Sequence, residues 1–419
     1  MSDRVIKTPM IRQYLSIKEK YKDAILFFRL GDFYEMFFDE AVEVSRILNL
    51  TLTKRNNVPM CGIPYHAYKV YVARLLRAGK KIAICEQVSD PLPGELTKRE
   101  VTEVITPGLA IEDDFLESGK DNYLLAIYCS PKQTKVATSQ DYYDGIAYID
   151  VSSGSFFCMS FSRKNTEKEL FKELGRISPS EILISQSLEK NQNIMKRLEL
   201  EYPHILKTSM PDSFFNAEKA FDKLCHLFGT ESLKAFGLEK TSPELPAAGV
   251  IIEYLEQTSQ NLLLHISGIT HVSESDFVGI DYSTRKNLEL INNLNDGTTN
   301  YTLFEVVNST KTSMGIRLLR RMIQQPIRSK YILNERLDKV ASLIENPKTF
   351  SMIRSSLSSI SDAERLTSRI AMQKAQPREL LSLAKSLTKV KYLISLISEN
   401  HLNFINLSDK EIKRLNEIH

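Results

Sequence analysis

Hydrophobic and polar positions along the first 118 residues predict a small mixed α/β domain. Apolar residues recur every three to four positions in the helical stretches and cluster in short runs in the strands. Thr8 suits a helix cap, and Pro9 suits the first helical turn. The predicted elements are a helix to about Tyr21, a strand at Ile25 to Phe28, a helix at Asp39 to Leu48, a helix at Tyr65 to Ala78, and strands at Ile82 to Val88 and Glu100 to Thr106. Pro and Gly within Pro59 to Ala67 predict a turn.

A second domain is predicted at residues 119–255, after the hydrophilic stretch from Glu117 to Asp121. Its elements are strands at Tyr123 to Tyr128, Gly145 to Val151 and Ser155 to Phe161, a helix at Thr166 to Leu174, and a strand at Glu181 to Ser185. This order of three strands, a helix and a strand resembles a ribonuclease-H-like sheet.

From about Pro246 the pattern becomes almost wholly helical, which predicts a third domain at residues 256–419. The predicted helices are Ala247 to Gln257, Ser283 to Leu294, Ser313 to Gln324, Leu333 to Asn346, Ser361 to Lys374 and Pro377 to Ser398. Four arginines in this region predict a solvated or interdomain face: Arg317, Arg320, Arg321 and Arg328. The predicted fold class is therefore multidomain, with α/β domains followed by an all-α domain.

The run Phe-Phe-Arg-Leu-Gly-Asp-Phe-Tyr-Glu-Met-Phe-Phe at residues 27–38 is strongly aromatic but carries two carboxylates. If residues 33–35 are extended, Phe33 and Glu35 lie on one face and Tyr34 on the other. An apolar ring beside a carboxylate suits the reading of a nucleic-acid base, because the ring can wedge into a stack while the carboxylate meets a base edge. The alternative is ordinary core packing of the aromatic rings.

The distribution of charge strengthens the nucleic-acid interpretation. The whole chain has 55 basic and 52 acidic residues, and its net charge of +3 does not by itself indicate a polyanionic partner. The segment from Val44 to Cys85, however, contains eight Lys and Arg residues and no Asp or Glu. Clustered cations favour phosphate binding, although a solvated basic face is the alternative. The cations predicted to contact the DNA backbone are Lys54, Arg55, Arg74, Lys80 and Lys81.

Several short motifs are spread along nearly all of the 419 residues. They are Thr8-Pro9-Met10, Gly31-Asp32-Phe33-Tyr34-Glu35, Leu52-Thr53-Lys54-Arg55, Gly62-Ile63-Pro64-Tyr65-His66-Ala67, Thr106-Pro107-Gly108, Asp281 to Glu289, Ser313 to Arg320 and Ala375 to Leu380. In order and spacing they resemble the N-terminal region of the MutS family of DNA mismatch-repair proteins. Two positions depart from the family pattern, namely Glu103, where a basic residue is common, and Leu109, where a small polar residue is common.

The resemblance implies that the three domains are a mismatch-recognition domain, a connector, and the helical core with the start of a lever. It also implies that Phe33 enters the minor groove at mismatched or looped double-stranded DNA and that Glu35 bonds to the displaced base. Such a protein tests how easily the duplex deforms, since a mispaired step is cheaper to open than a paired one. The implied partners are mismatched DNA, a MutL-like protein bound through the connector, and a second copy in the full-length form.

No Gly-x-x-x-x-Gly-Lys-Ser/Thr phosphate-binding loop occurs in the chain. The family carries its ATPase, its main dimer contact and its DNA clamp beyond the matched region, so we expect an N-terminal half with no catalytic residue and no cofactor. ATP and Mg²⁺ are expected only in the missing C-terminal ATPase domain. The chain also lacks an apolar signal core and a membrane-length apolar run, which predicts a bacterial cytosolic or nucleoid protein with no membrane partner.

Other functions remain open at this point. A ribonuclease-H-like nuclease needs several convergent carboxylates to hold two metal ions, and Asp150 and Glu181 are the strand-borne candidates. Five widely spaced cysteines without a Cys-x-x-Cys pair support neither a zinc site nor a disulfide framework. A partner-docking fragment, or a DNA-binding fragment without mismatch preference, are the further alternatives.

Overall fold

The computed structural model describes residues 8–89, 97–129, 143–258 and 260–400, together with residues 402, 411 and 414. The chain divides into two compact units. The first consists of Met1–Leu116, Asn122–Tyr128 and Pro179–Phe215, and the second of Glu117–Asp121, Cys129–Ser178 and Asn216–His419. The predicted class, α/β segments followed by a helical region, is confirmed.

The described part of the first 116 residues contains three α-helices and six β-strands. They are α1 (Pro9–Lys20), β1 (Ile25–Leu30), β2 (Phe33–Phe37), α2 (Phe38–Leu48), β3 (Thr53–Arg55), β4 (Val58–Pro64), α3 (Tyr68–Arg77), β5 (Ile82–Gln87) and β6 (Arg99–Ile105). Short 3₁₀ turns follow β4 at Tyr65–Ala67 and β6 at Pro107–Leu109. Thr8 occupies the predicted cap position of α1, but its hydroxyl makes no capping bond to a described residue.

One six-stranded sheet organises these elements in the order β3-β4-β2-β1-β5-β6. β1 and β5 are parallel, and the other neighbouring pairs are antiparallel. One face packs against α2 and α3 in a core that includes Tyr34, Met36 and Val72. The other face packs against α1, where Ile11 and Tyr14 cover part of the sheet. The sheet is therefore sandwiched between helices.

Strands β3 and β4 correct the sequence prediction of a turn at Pro59 to Ala67. The turn lies earlier, at Asn56 and Asn57, whose φ angles of 49° and 65° form the left-handed two-residue hairpin loop that asparagine tolerates. Pro59 is compatible with the strand because pairing between β2 and β4 stops at Met60, so the missing N–H is not needed by that ladder. Proline and glycine suggested a loop, whereas the sheet pairing overrides that preference.

Later strands are distributed over the two units. They are β7 (Tyr123–Tyr128), β8 (Tyr143–Asp150), β9 (Ser155–Ser162), β10 (Glu181–Ser185), β11 (Leu206–Met210) and β12 (Thr270–His271). In the first unit, β10 pairs in parallel with β7 and with β11. In the second unit, β9 pairs with β8 in antiparallel fashion and with β12 in parallel. The predicted order of strands and helix in this segment is confirmed, while β11 and β12 were not predicted.

The remaining helices lie between and after these strands. They are α4 (Thr166–Ile177), α5 (Gln186–Glu189), α6 (Gln192–Glu201), α7 (Ala217–Phe228), α8 (Leu245–Thr258), α9 (Tyr282–Asn287), α10 (Leu303–Val307), α11 (Ser313–Gln324), α12 (Lys330–Glu345), α13 (Pro347–Leu357), α14 (Ala363–Ala371) and α15 (Pro377–Glu399). The predicted helix at Ser283 to Leu294 is wrong beyond Asn287. Glu289 there adopts a φ of 46°, which a continuing right-handed helix excludes.

Burial of Arg317 on α11 contradicts the prediction of a solvated face for this residue, whereas the alternative of an interdomain face stays a prediction. The Arg317 side chain is fully buried. Nη1 lies 2.6 Å from Asp362 Oδ2, and Nη2 lies 2.8 Å from Asp362 Oδ1 and 2.6 Å from Glu364 Oε2. A buried guanidinium requires such paired charge to offset its lost hydration. Arg317 therefore has a structural role in the helical region of the second unit, where it forms ion pairs with Asp362 and Glu364.

Candidate nucleic-acid interface

Phe33 lies at the tip of a β-hairpin, on the surface of the first unit. β1 and β2 are joined by Gly31 and Asp32, and Leu30 pairs with Phe33 across the turn. Gly31 has a φ of 57°, a conformation that glycine adopts without strain. The Phe33 side chain is 47% exposed, so core packing is the wrong interpretation for this residue. The hairpin presents an aromatic ring to solvent at a defined position.

The predicted alternation of side chains along β2 is confirmed. Tyr34 and Met36 are buried on the face that packs against α2 and α3. Phe37 is on the opposite face, where its ring centroid is 5.0 Å from that of Tyr14 in α1. Phe33 and Glu35 share the Phe37 face because side chains in a strand alternate. Among the described residues, α1 covers one end of this face and nothing covers Phe33 fully at the hairpin end.

Glu35 is held by an ion pair with Arg55. Arg55 Nη1 is 3.0 Å from Glu35 Oε2, and the two side chains are 48% and 14% exposed, respectively. Burial raises the pKa of the Glu35 carboxyl above its ordinary value, and the charge and hydrogen bond of Arg55 oppose part of that rise. A carboxyl group in this environment can accept a hydrogen bond when ionised or donate one when protonated.

Gly62 leaves the sheet surface open beside these two side chains. It pairs with Glu35 on the neighbouring strand β4. A Cβ at this position would lie 3.5 Å from Glu35 Cγ and 3.9 Å from Phe33 Cδ1, so any side chain there would fill the space between ring and carboxylate. The glycine therefore keeps a shallow slot at the hairpin end of the sheet.

Lys54 and Arg55, two of the predicted backbone contacts, follow one another on the edge strand β3 and are both exposed. Thr53 pairs with Met60, which also pairs with Phe37, so the odd-numbered side chains of β3 lie on the Phe33 and Glu35 face. The structure therefore brings Arg55 to the Phe33 surface, whereas Lys54 points to the other side of the sheet.

Arg74, Lys80 and Lys81 are not brought together with Phe33. Ile25 pairs with Ile82, so Lys80 and Lys81 lie at the start of β1 and β5, whereas Phe33 lies beside the end of β1. The six-residue length of β1 separates the two ends by roughly 15–20 Å. Whether these three residues contact the backbone of a bound duplex stays a prediction.

The cations between Val44 and Cys85 are also less available to phosphates than the sequence suggests, because acidic residues from outside this segment pair with them. Lys81 lies 2.8 Å from Asp23, Lys80 lies 2.5 Å from Glu43, and Lys69 lies 2.6 Å from Glu112. Arg74 donates a hydrogen bond to the Ile47 carbonyl oxygen at 3.3 Å. Counting charges within a window missed these partners, which are distant in sequence or just beyond the window.

Arg29 is a positioning residue that the sequence analysis did not single out. Its Nε donates to the Gly31 carbonyl oxygen at 2.5 Å, and its guanidinium carbon is 3.6 Å from the centroid of the Tyr65 ring. The Arg29 carbonyl oxygen accepts a bond from Arg99 Nε at 2.7 Å. These contacts brace the turn that carries Phe33. A cation inside an otherwise aromatic run was the available signal.

The two candidate nuclease carboxylates are engaged in structural hydrogen bonds. Asp150 accepts bonds from the backbone N–H and hydroxyl of Ser152, at 2.9 and 2.6 Å, and so shapes the turn after β8. Glu181 accepts bonds from the Thr106 and Thr208 hydroxyls and from the Gly108 N–H. Among the described residues there is no group of three or more metal-ligating side chains. The nuclease alternative therefore lacks a site in the part of the chain that is described.

No helix among the described residues is both long enough and apolar enough to cross a membrane.

Comparison with known proteins adds a family to this geometry. Three family models match the chain: MutS domain I over residues 8–114, MutS domain II over residues 122–267 and MutS domain III over residues 283–418. The aromatic ring, the carboxylate and the open slot all fall within the first of these matches.

Curated proteins similar to this chain include several named DNA mismatch repair protein MutS. The one from Treponema denticola is 59% identical over 412 residues, which cover 98% of this chain and 46% of the relative. The one from Treponema pallidum strain Nichols is 46% identical over 393 residues, covering 94% and 43%. The one from Borreliella burgdorferi strain B31 is 39% identical over 411 residues, covering 97% and 46%. The chain therefore spans about half the length of the curated relatives it matches.

Proposed function

Because this chain belongs to the MutS family, three of whose domain models together match most of its length, we propose that it binds double-stranded DNA at mispaired or looped bases. Phe33 enters the base stack at such a step, and Glu35 bonds to the displaced base. The observation that carries the proposal is an exposed aromatic ring beside a largely buried carboxylate, on a sheet face that the described residues do not fully cover.

The ring supplies a binding energy that does not depend on sequence. Stacking of a base on an aromatic side chain is worth about 1–3 kcal/mol, and every base has a face on which to stack. Apolar wedges of this kind unstack a base step and kink the duplex. Kinking costs several kcal/mol in paired DNA, whereas a mispaired step has already lost part of its pairing and stacking energy. The wedge therefore binds preferentially where the duplex is already weak.

Glu35 adds discrimination at the same place. An ionised carboxylate near the phosphates weakens binding to any duplex, and it recovers that cost only where a displaced base offers a hydrogen bond. Its raised pKa also favours the protonated form, which donates to a base acceptor. Arg55 lies on the same face and is exposed enough to reach a phosphate.

The activities of a whole MutS protein are proposed only in general terms, because this chain spans about half the length of its curated relatives. We assign no catalytic residue, metal or cofactor to it. For the whole protein we expect ATP binding and hydrolysis with Mg²⁺, pairing with a second copy, and docking of a MutL-like protein through the segment matched by MutS domain II. The proposed DNA substrate implies a cytoplasmic location in a bacterium.

Binding of a G·T-mismatched duplex and of the matched duplex tests the proposal. We expect the wild-type chain to prefer the mismatch and Phe33→Ala to lose at least fivefold in mismatch affinity, because a stacking partner worth about 1–3 kcal/mol is removed. Phe33→Tyr keeps the ring and should retain the preference. Tyr143→Ala, which removes another half-exposed ring in the second unit, serves as the matched control.

Equal affinity of the wild-type chain for both duplexes would favour a DNA-binding fragment without mismatch preference. No measurable DNA binding would favour a partner-docking fragment. A mismatch preference that survives Phe33→Ala would reject the wedge assignment.

A further inference from the structure

The ion pair between Arg55 and Glu35 supports an inference that rests on the proposed function and deepens it. We propose that Arg55 is a specificity-determining residue of this interface: it holds the Glu35 carboxylate while no displaced base is present, and Glu35 bonds to a base only when that pair opens. A displaced base must therefore bind the Glu35 carboxylate more strongly than Arg55 does in order to replace it.

The geometry of three strands creates this pairing. Glu35 is on β2 and Arg55 is on β3, with β4 between them. The two strands are two spacings, roughly 10 Å, apart, and Arg55 pairs with Val58 whereas Glu35 pairs with Gly62, so the arginine side chain reaches Glu35 by lying diagonally across β4. Gly62, the β4 residue opposite Glu35, has no side chain to block that path. Gly62 therefore places no side chain beside the Glu35 carboxylate, which Arg55 approaches from the Val58 end of β4.

The two partners differ in their freedom to move. The Arg55 side chain is 48% exposed, on the edge strand beside the Asn56–Asn57 turn, whereas the Glu35 side chain is 14% exposed in the interior of the sheet. Arg55 can swing into solvent or toward a phosphate without losing packing. Glu35 cannot move far from its place on β2. The pair therefore opens by departure of Arg55, which leaves the carboxylate in position for a base.

The strength of the pair suits a threshold. A partly exposed ion pair stabilises modestly, whereas a hydrogen bond between a charged group and a partner in a site closed off from water is stronger. On a matched duplex no base is displaced, so the pair stays closed and Arg55 reduces the repulsion between the carboxylate and the phosphates. At a mismatch the base replaces Arg55, and the guanidinium is released from the carboxylate.

A double-mutant cycle tests the inference. Affinities for the G·T and matched duplexes are measured for Arg55→Gln, Glu35→Gln and the double variant, with Lys54→Gln as the neighbouring cation on the other face of β3. We expect Arg55→Gln to raise the mismatch-to-match affinity ratio roughly two- to fivefold, because an exposed pair no longer competes with the base and the bare carboxylate weakens matched binding.

Three comparisons complete this cycle. In the Glu35→Gln background the same Arg55 substitution should leave the ratio unchanged. Lys54→Gln should leave the ratio unchanged, because Lys54 lies on the face of β3 away from Glu35. Arg55→Lys keeps the charge without the guanidinium fork and should fall between the wild type and Arg55→Gln. A ratio that is unchanged by Arg55→Gln, or changed equally in both Glu35 backgrounds, would overturn the inference.

A second readout uses the DNA-free chain. The pKa of the Glu35 carboxyl is followed by NMR of glutamate labelled with ¹³C at the carboxyl carbon, and its signal is identified by its loss in Glu35→Gln. Arg55→Gln should raise this pKa further above its ordinary value, while Lys54→Gln should leave it unchanged. An unchanged pKa in Arg55→Gln would mean that the pair is not formed in solution.

The two readouts separate this inference from the proposed function. A wild-type mismatch preference with no effect of Arg55→Gln rejects the inference alone. Absence of any wild-type preference rejects the proposed function and the specificity role of Arg55 together, even where the DNA-free pKa moves as expected.

Discussion

Two glutamates of the first unit, Glu35 and Glu181, occupy comparable positions on sheets but have opposite surroundings. Glu181 is fully buried and accepts bonds from two threonine hydroxyls and a backbone N–H. Glu35 lies near the hairpin end of β2, where its ion-pair partner among the described residues is the half-exposed Arg55. The comparison separates a carboxylate that stabilises the fold from one that is available to a ligand.

Each glutamate also lies beside a glycine, and the glycine beside Glu181 has less space around it than the glycine beside Glu35. A Cβ on Gly108 would lie 2.8 Å from Glu181 Cβ, which is closer than real Cβ contacts allow. A Cβ on Gly62 would lie 3.5 Å from Glu35 Cγ, an ordinary van der Waals distance. The Thr106-Pro107-Gly108 motif is thus explained by close packing on β10, whereas Gly62 leaves room beside Glu35.

Replacement of the two glutamates by alanine should give the largest difference in stability. Glu181→Ala leaves two hydroxyls and one N–H without their buried acceptor, and we expect it to lower the free energy of unfolding by roughly 2–4 kcal/mol. Glu35→Ala removes a partly exposed ion pair and should change it by less than about 1 kcal/mol. Urea unfolding followed by circular dichroism measures both values. Equal losses would contradict the distinction between the two carboxylates.

Replacement of the two glycines by alanine should sharpen the comparison with smaller effects. Gly108→Ala overpacks a buried contact and should cost about 1–3 kcal/mol of stability. Gly62→Ala should leave the melting temperature almost unchanged but should lower affinity for mismatched DNA, because its methyl group fills the slot beside Phe33. Thermal melts and binding to the G·T duplex distinguish these outcomes. Unaltered mismatch binding by Gly62→Ala would argue that the slot is not used.

The sequence predicted the part of the site that depends on local rules. Alternation along a strand is a two-residue rule, so the shared face of Phe33 and Glu35 was predictable. The pairing of Arg55 with Glu35 was not, because it depends on the register of β3 and β2 against β4, and β4 itself was predicted as a turn. A pairing of strands outweighed the local preferences of Pro59 and Gly62.

Charges were the least predictable feature. Asp23 and Glu43 pair with Lys81 and Lys80 through the arrangement of β1, β5 and α2, which a window of sequence does not contain. A solvated face was one of the two positions expected for Arg317, but this side chain lies buried between carboxylates. The three-dimensional partner, rather than the local density of charge, decides whether a cation is free to meet a phosphate.

The central claim is that the Phe33 ring enters the base stack at a mispaired step. It is tested most directly with 2-aminopurine placed beside a G·T mismatch, since the fluorescence of this base rises when it is unstacked. At saturating protein, the wild-type chain and Tyr143→Ala should raise the fluorescence of the mismatched duplex well above that of the matched duplex, and Phe33→Ala should not. An equal rise with Phe33→Ala bound at saturation would contradict the account.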